Sequence, residues 1–202
     1  CSSSPEDCTQ TSTCVSDASN EPAPLVCDMT QDPKDAAGCL DDRVGVFVSP
    51  TGSDTNAGTK AAPFQTIGKA LASVGALTRV YVCEGTYAED VSIAAPVDGV
   101  SIYGGFSCAD WTYSGNKPTI GKGTGALKIA GTTKPFAIED VLVKSADGSA
   151  GSPSSIAALV ANASGAVTFT RVNLTAGVGA DGTDGAGGSN YSGTLPQSDP
   201  SI

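Results

Sequence analysis

From Val44 onward the chain breaks into short β-rich runs cut by Gly, Pro, Asn, Asp and Ser, and only one stretch carries a helical period. Phe64, Ile67, Ala70, Leu71 and Val74 recur at spacings of three and four, which predicts an amphipathic helix from about Thr66 to Val74. The strand-like runs are Val44 to Val48, Arg79 to Cys83, Val91 to Ile93, Val100 to Tyr103, Ala126 to Ile129, Phe136 to Val143, Ile156 to Val160 and Val167 to Leu174. With no helix of useful length between the runs from Arg79 onward, a doubly wound α/β sheet is excluded, and an antiparallel sandwich or a parallel β-helix remains. A single early helix suits a cap on the end of a cylinder. The strongest runs, near residues 81, 101, 120, 141, 158 and 172, recur at roughly twenty-residue intervals, as successive turns of a solenoid would. The expected fold is all-β: a parallel β-helix of roughly six short coils with one short N-terminal capping helix.

The residues before Val44 have another character. Residues 1–42 hold nine acids against Lys34, carrying −8 of the whole chain's −10, and five of its seven cysteines. They show few large apolar residues and no period, and read as a separate, solvated, disulfide-stapled irregular arm ahead of a β-helix domain over residues 43–202. The acidic balance argues against a nucleic-acid partner. With no histidine, neither a Ser-His-Asp relay nor an imidazole metal site can form. Seven cysteines point to an oxidising compartment. Cys8, Cys14, Cys27 and Cys39 lie in the arm, where three pairings are open. Cys83 and Cys108 lie 25 residues apart beside two strand-like runs, so a coil of about that length would stack them and allow a bridge.

Two resemblances add to this reading. Cys1, followed by Ser2, Ser3, Ser4 and Pro5, resembles the mature end of a bacterial lipoprotein, which implies a lipid on Cys1, six cysteines left for pairing and, from Ser2, an outer-membrane location. The strings VFVSPTGSDTNAGTKAAPFQTIGKAL (Val46 to Leu71), RVYVCEGTYAEDVSI (Arg79 to Ile93) and GVSIYGGF (Gly99 to Phe106) resemble right-handed parallel β-helix proteins of the pectate-lyase-like superfamily, specifically the cysteine-rich surface lipoproteins of myxobacteria. That resemblance implies a capped first coil and right-handed coiling. It implies no reaction, since the superfamily holds lyases, hydrolases, epimerases and proteins without assigned activity.

Several side chains could carry chemistry. Glu84, Glu89 and Asp90 flank a strong coil, where paired carboxylates could bind calcium or act as acid and base; as turn residues they would only solvate a loop. Asp140, Lys144 and Arg171 could share one outer face, with Asp140 and Lys144 as a surface ion pair. Ala176 to Asp181 is similar to one calcium-binding repeat-in-toxin nonapeptide, but such sites need tandem copies; the expectation is no cofactor and an acidic loop, with calcium held by Asp181 and Asp184 as the alternative. Trp111 and Tyr113 cluster with Phe106 beside Cys108 and could form a binding platform if exposed, or a local core if not.

The expectation that follows is a non-catalytic, lipid-anchored protein of the bacterial outer membrane, on its cell-surface or periplasmic face, acting in surface structure, adhesion or assembly. Its partners would be membrane lipid through Cys1, other envelope proteins or surface glycans, and further subunits through an open β-helix end. The alternatives are a polysaccharide-active lyase or glycoside hydrolase on the same scaffold, and a subunit of a larger envelope complex.

Overall fold

The computed structural model describes residues 24–95, 97–151, 154–182, 185, 187 and 188. After a 3₁₀ turn at Ala37–Cys39, the order is β1 (Gly45–Val48), α1 (Ile67–Ser73), β2 (Arg79–Cys83), β3 (Thr86–Tyr87), β4 (Val91–Ile93), β5 (Ser101–Phe106), β6 (Thr119–Ile120), β7 (Gly125–Ala130), β8 (Phe136–Glu139), β9 (Leu142–Lys144), β10 (Ile156–Ala161), β11 (Val167–Thr170) and β12 (Asn173–Thr175). The first sheet runs β1-β2-β5-β8-β11, the second β3-β6-β9-β12 and the third β4-β7-β10. Every strand pairing is parallel, so the sandwich alternative is gone. From β2 onward the chain visits the three sheets in turn and returns one strand further along, the path of a solenoid.

The coil length differs from the expected twenty residues. Partners in the first sheet, 45 with 79, 79 with 101, 102 with 138 and 136 with 167, are 34, 22, 36 and 31 positions apart. The six apolar maxima are therefore not six coils. Those near 81 and 101 belong to the first sheet, that near 120 to the second and that near 158 to the third, while the runs containing 141 and 172 each span two strands. The expected strands Phe136 to Val143 and Val167 to Leu174 each divide in two, at Asp140 (φ 52°) and Arg171 (φ 54°), where left-handed backbone turns the chain from the first sheet to the second.

Register builds the core. Val46, Val80, Ile102, Ile138 and Phe169 are successive partners, one inward residue from each strand of the first sheet. Tyr87, Ile120, Val143 and Leu174 do the same in the second sheet, and Ile93, Ile129 and Val160 in the third. Side chains in the inner coils are almost fully buried, each removing surface worth about 1.5–3 kcal/mol. The helix forms where the period predicts it. Thr66 caps it by accepting from the Lys69 N–H at 3.1 Å, and Ile67, Ala70 and Leu71 bury against β1, β2 and β4, covering the starting edge of the coils.

Strand β5 carries one extra residue relative to β2, because Tyr81 pairs with Tyr103 but Cys83 with Phe106. Gly105 takes up the bulge at φ +83°, and a Cβ there would stand 2.7 Å from Cε2 of Tyr113 and 3.2 Å from Cβ of Asp140. Gly105→Ala is expected to lose about 2 kcal/mol of unfolding free energy, seen as a lowered midpoint in thermal or urea denaturation. An unchanged midpoint would mean that the bulge tolerates a side chain.

The described part of the arm is docked on the body, not separate from it. Residues 27–44 lie on the outer face of the first sheet, where Leu40 and Val44 pack with Phe47, Tyr81, Cys83, Phe106 and Trp111 in a second apolar cluster, and Cys27 lies against it. Cys27 pairs with Cys39 and Cys83 with Cys108. The second bridge ties β2 to the segment after β5, one coil on, as the 25-residue spacing suggested. The first resolves one pair in the arm; Cys1, Cys8 and Cys14 lie outside the described residues.

Candidate functional site

The densest group of charges is built by the stacking of two corners. Glu139 ends β8 and pairs with Thr170 of β11, and the Asp140 N–H donates to the Thr170 carbonyl at 3.1 Å, which sets Arg171 beside Asp140 one coil on. Arg171 Nε donates to both carboxylate oxygens of Asp140 (2.8 and 3.0 Å), and its Nη2 donates to Asp140 Oδ2 (2.8 Å), Glu139 Oε2 (2.9 Å) and Asp32 Oδ2 (2.7 Å). One guanidinium thus holds three carboxyl groups, one of them from the arm. The Asp140 side chain is 4% exposed and that of Glu139 14%, against 35% for Arg171.

Three carboxylates on one cation leave negative charge in excess, and Glu139, with one guanidinium bond against the three of Asp140, is the less compensated of the two corner acids. Burial, a hydrogen bond with Asp32 and the charge of Asp32 push Glu139 up to about 7, against the pull of Arg171. Asp32 moves the other way: burial raises it, but the Lys34 N–H and Arg171 outweigh that and hold it low. Arg171 is raised, chiefly by its hydrogen bonds to Asp140. Chemically the group is a carboxyl–carboxylate pair bridged by guanidinium, and it fastens residue 32 to the corner after β11.

Further contacts fasten the same segment. Arg79, 3% exposed, lies over the Tyr103 ring at 5.2 Å and donates from Nη2 to the Met29 carbonyl (2.7 Å) and that of Gln31 (3.4 Å). The Tyr81 hydroxyl donates to the Cys39 carbonyl at 2.6 Å.

The other residues singled out from the sequence are placed differently. Trp111 is 6% exposed, its ring 4.7 Å from that of Phe47 and its Nε1 donating to the Lys60 carbonyl at 3.3 Å. It is a core anchor, and the expectation of an exposed tryptophan platform gives way to the local-core reading. Tyr113, 37% exposed, lines a shallow cleft with Pro33, Lys34, Lys60 and Asp110. Lys144 is exposed and absent from the described ion pairs, so the expected Asp140–Lys144 pair is replaced by Asp140–Arg171. Glu89 accepts the N–H groups of Ile67 (2.7 Å) and Gly68 (2.9 Å), and Asp90 those of Lys122 (2.9 Å) and Gly123 (2.8 Å). Glu84 accepts from Asn116 Nδ2 at 2.7 Å. These three acids satisfy loops and the helix start. Asp181 is exposed, Asp184 lies outside the described residues, and the described residues contain no group of three side chains able to hold a metal ion. No described helix is long and apolar enough to cross a membrane.

Asp32 and Glu139 were missed from the sequence. The signal was the 31-residue repeat that sets Phe136, Ile138, Asp140, Val141 and Val143 over Val167, Phe169, Arg171, Val172 and Leu174, placing an acid above a base at one corner. Asp32 had none, because an arm without periodicity has no register to extrapolate.

The uncharacterized protein YwoF of Bacillus subtilis (strain 168) is 46% identical over 48 residues, 24% of this chain and 10% of that protein, so the match spans about a tenth of the relative's length. No solved structure matches the chain. Residues 50–143 match the family described as "Protein of unknown function (DUF1565)", a domain associated with the right-handed β-helix fold.

Proposed function

We propose that the chain is a non-catalytic module of a bacterial cell envelope, built on a right-handed parallel β-helix and acting in surface structure and assembly. The hand follows from the near-universal right-handedness of parallel crossovers and accords with the family match to residues 50–143. An oxidising location is supported by the two disulfides.

The observation that carries the assembly reading is the last coil. Among the described strands, β10, β11 and β12 are the final members of their sheets, each with a parallel neighbour on one side only. The inward columns end there at Val160, 45% exposed, Leu174, 50% exposed, and the half-buried Phe169. The opposite end is closed by α1. An edge of this kind pairs with another edge, and the occupant proposed is a second copy. With one end closed, two copies meeting at their last coils form a closed two-fold pair and no fibre.

Sedimentation equilibrium of the full chain tests this. A concentration-dependent dimer is expected, weakened roughly tenfold or more by Leu174→Asp, which puts a charge into the apolar face. A wild-type monomer at every soluble concentration, or a dimer indifferent to Leu174→Asp, would overturn it; an edge covered by chain beyond residue 182 would give the first result.

A further inference from the structure

We propose that Asp32, Glu139 and Arg171 form a proton-dependent latch that holds residues 27–40 on the outer face of the first sheet when Glu139 is protonated and loosens when it ionises. The geometry carries it. Asp32 and Glu139 converge on a single nitrogen of Arg171, whose other bonds go to the buried Asp140, so two carboxyl groups from opposite sides of the arm–sheet contact share one donor. With Glu139 protonated the cluster carries one net negative charge; ionised, it carries two, facing each other across the contact that the arm must keep.

Every charged or titratable group facing Glu139 enters the balance. Asp32 comes from the arm, with Lys34 two residues on; Asp140 sits at its own corner and Arg171 at the next. Tyr103 is its register partner on β5, with Arg79 behind it, and Tyr113 stands on the loop after β5 against Asp140. Arg171 is already divided among three acids; Arg79 turns Nη2 to the carbonyls of Met29 and Gln31 and stacks on Tyr103, and its buried Nη1, without a hydrogen-bond partner, makes no described ion pair with Glu139.

The sign follows from the raised Glu139. Between its ordinary value near 4.5 and about 7, the docked state holds a proton that the undocked state has lost, so docking weakens as pH rises through that window. Asp32, held low, adds the opposite dependence at acid pH, where its protonation removes an acceptor for Arg171. Docking is therefore tightest between these limits. The contact being modulated covers Phe47, Tyr81 and Tyr103, successive outward partners on β1, β2 and β5.

Amide hydrogen exchange on the full chain at pH 5.5 and 8.5, expressed as protection factors to remove the intrinsic pH effect, reads the latch directly. Protection at Asp35, Cys39 and Leu40, whose N–H groups are bonded within the arm, should fall roughly tenfold or more at the higher pH, while that of Val80 and Val82 in β2 stays level. Glu139→Gln should keep the arm protected at both. Asp32→Asn, which removes the neighbouring charge, should move the transition to lower pH. A flat wild-type profile, or a fall of the same size in Glu139→Gln, would overturn the latch. Should Glu139→Gln fail to fold, the wild-type profile with the direction of the Asp32→Asn shift still decides.

Discussion

Arg171→Ala is expected to cost about 3 kcal/mol of unfolding free energy, read by urea denaturation as a lowered midpoint with an unchanged slope. The loss comes less from the removed bonds than from what stays behind. Asp140 is nearly inaccessible to water, and without the guanidinium its carboxylate keeps no charged partner within reach. The figure sits at the low end for a buried pair because the Arg171 side chain is 35% exposed and part of the pairing is screened. Arg171→Gly separates backbone from side chain: the position has φ 54°, which glycine adopts freely, so the glycine variant should be about 1 kcal/mol more stable than the alanine one. Arg171→Lys should recover little, since an ammonium cannot make the two-nitrogen contact to Asp140 while also reaching Glu139 and Asp32. The double variant Asp140→Asn, Arg171→Ala should lose less than the sum of the single losses, because the stranded charge is gone. If Arg171→Ala lost under about 0.5 kcal/mol, the cluster would be an ornament on a contact held by the apolar cluster alone.

That cluster also marks where sequence reasoning stops. The helix, most strands and the Cys83–Cys108 bridge are local matters, written in a period of three to four, in alternation, or in a spacing one coil long, and the structure has all of them. Coil length was misjudged for a physical reason. The turns have unequal lengths and each coil holds up to three strands, so after the first two maxima, which share the first sheet, neighbouring apolar maxima fall in different sheets and the mean spacing is shorter than any coil. Splitting at Asp140 and Arg171 could not be seen because aspartate favours a left-handed backbone only modestly and arginine not at all, so neither breaks an apolar run as glycine or proline would. Docking of the arm could not be seen because it rests on single long-range contacts, Asp32 with Arg171 and Met29 with Arg79, between segments without a shared pattern. Trp111 shows the same limit from the other side: its type suits a platform or a core, and burial decides.

Ile138→Ala should be the most costly apolar truncation, about 3–4 kcal/mol, because it opens a cavity that the coils cannot close. Ile138 is 1% exposed and stands between Ile102 and Phe169 in the column of the first sheet, with rigid parallel ladders on both sides. Val160→Ala at the last described coil removes part of an inward side chain too, yet Val160 is 45% exposed and, among the described residues, has a column neighbour, Ile129, on one side only. Its cost should stay below about 1 kcal/mol in dilute protein. The two substitutions together measure the gradient from a closed interior to an open end. A large gap at low concentration, narrowing as protein concentration rises, is what a coil edge buried by a second copy requires, because Val160 then acquires the neighbour it lacks. Equal costs at every concentration would mean that the edge is already covered within one chain, and the end-to-end pair would fall while the three parallel sheets stood.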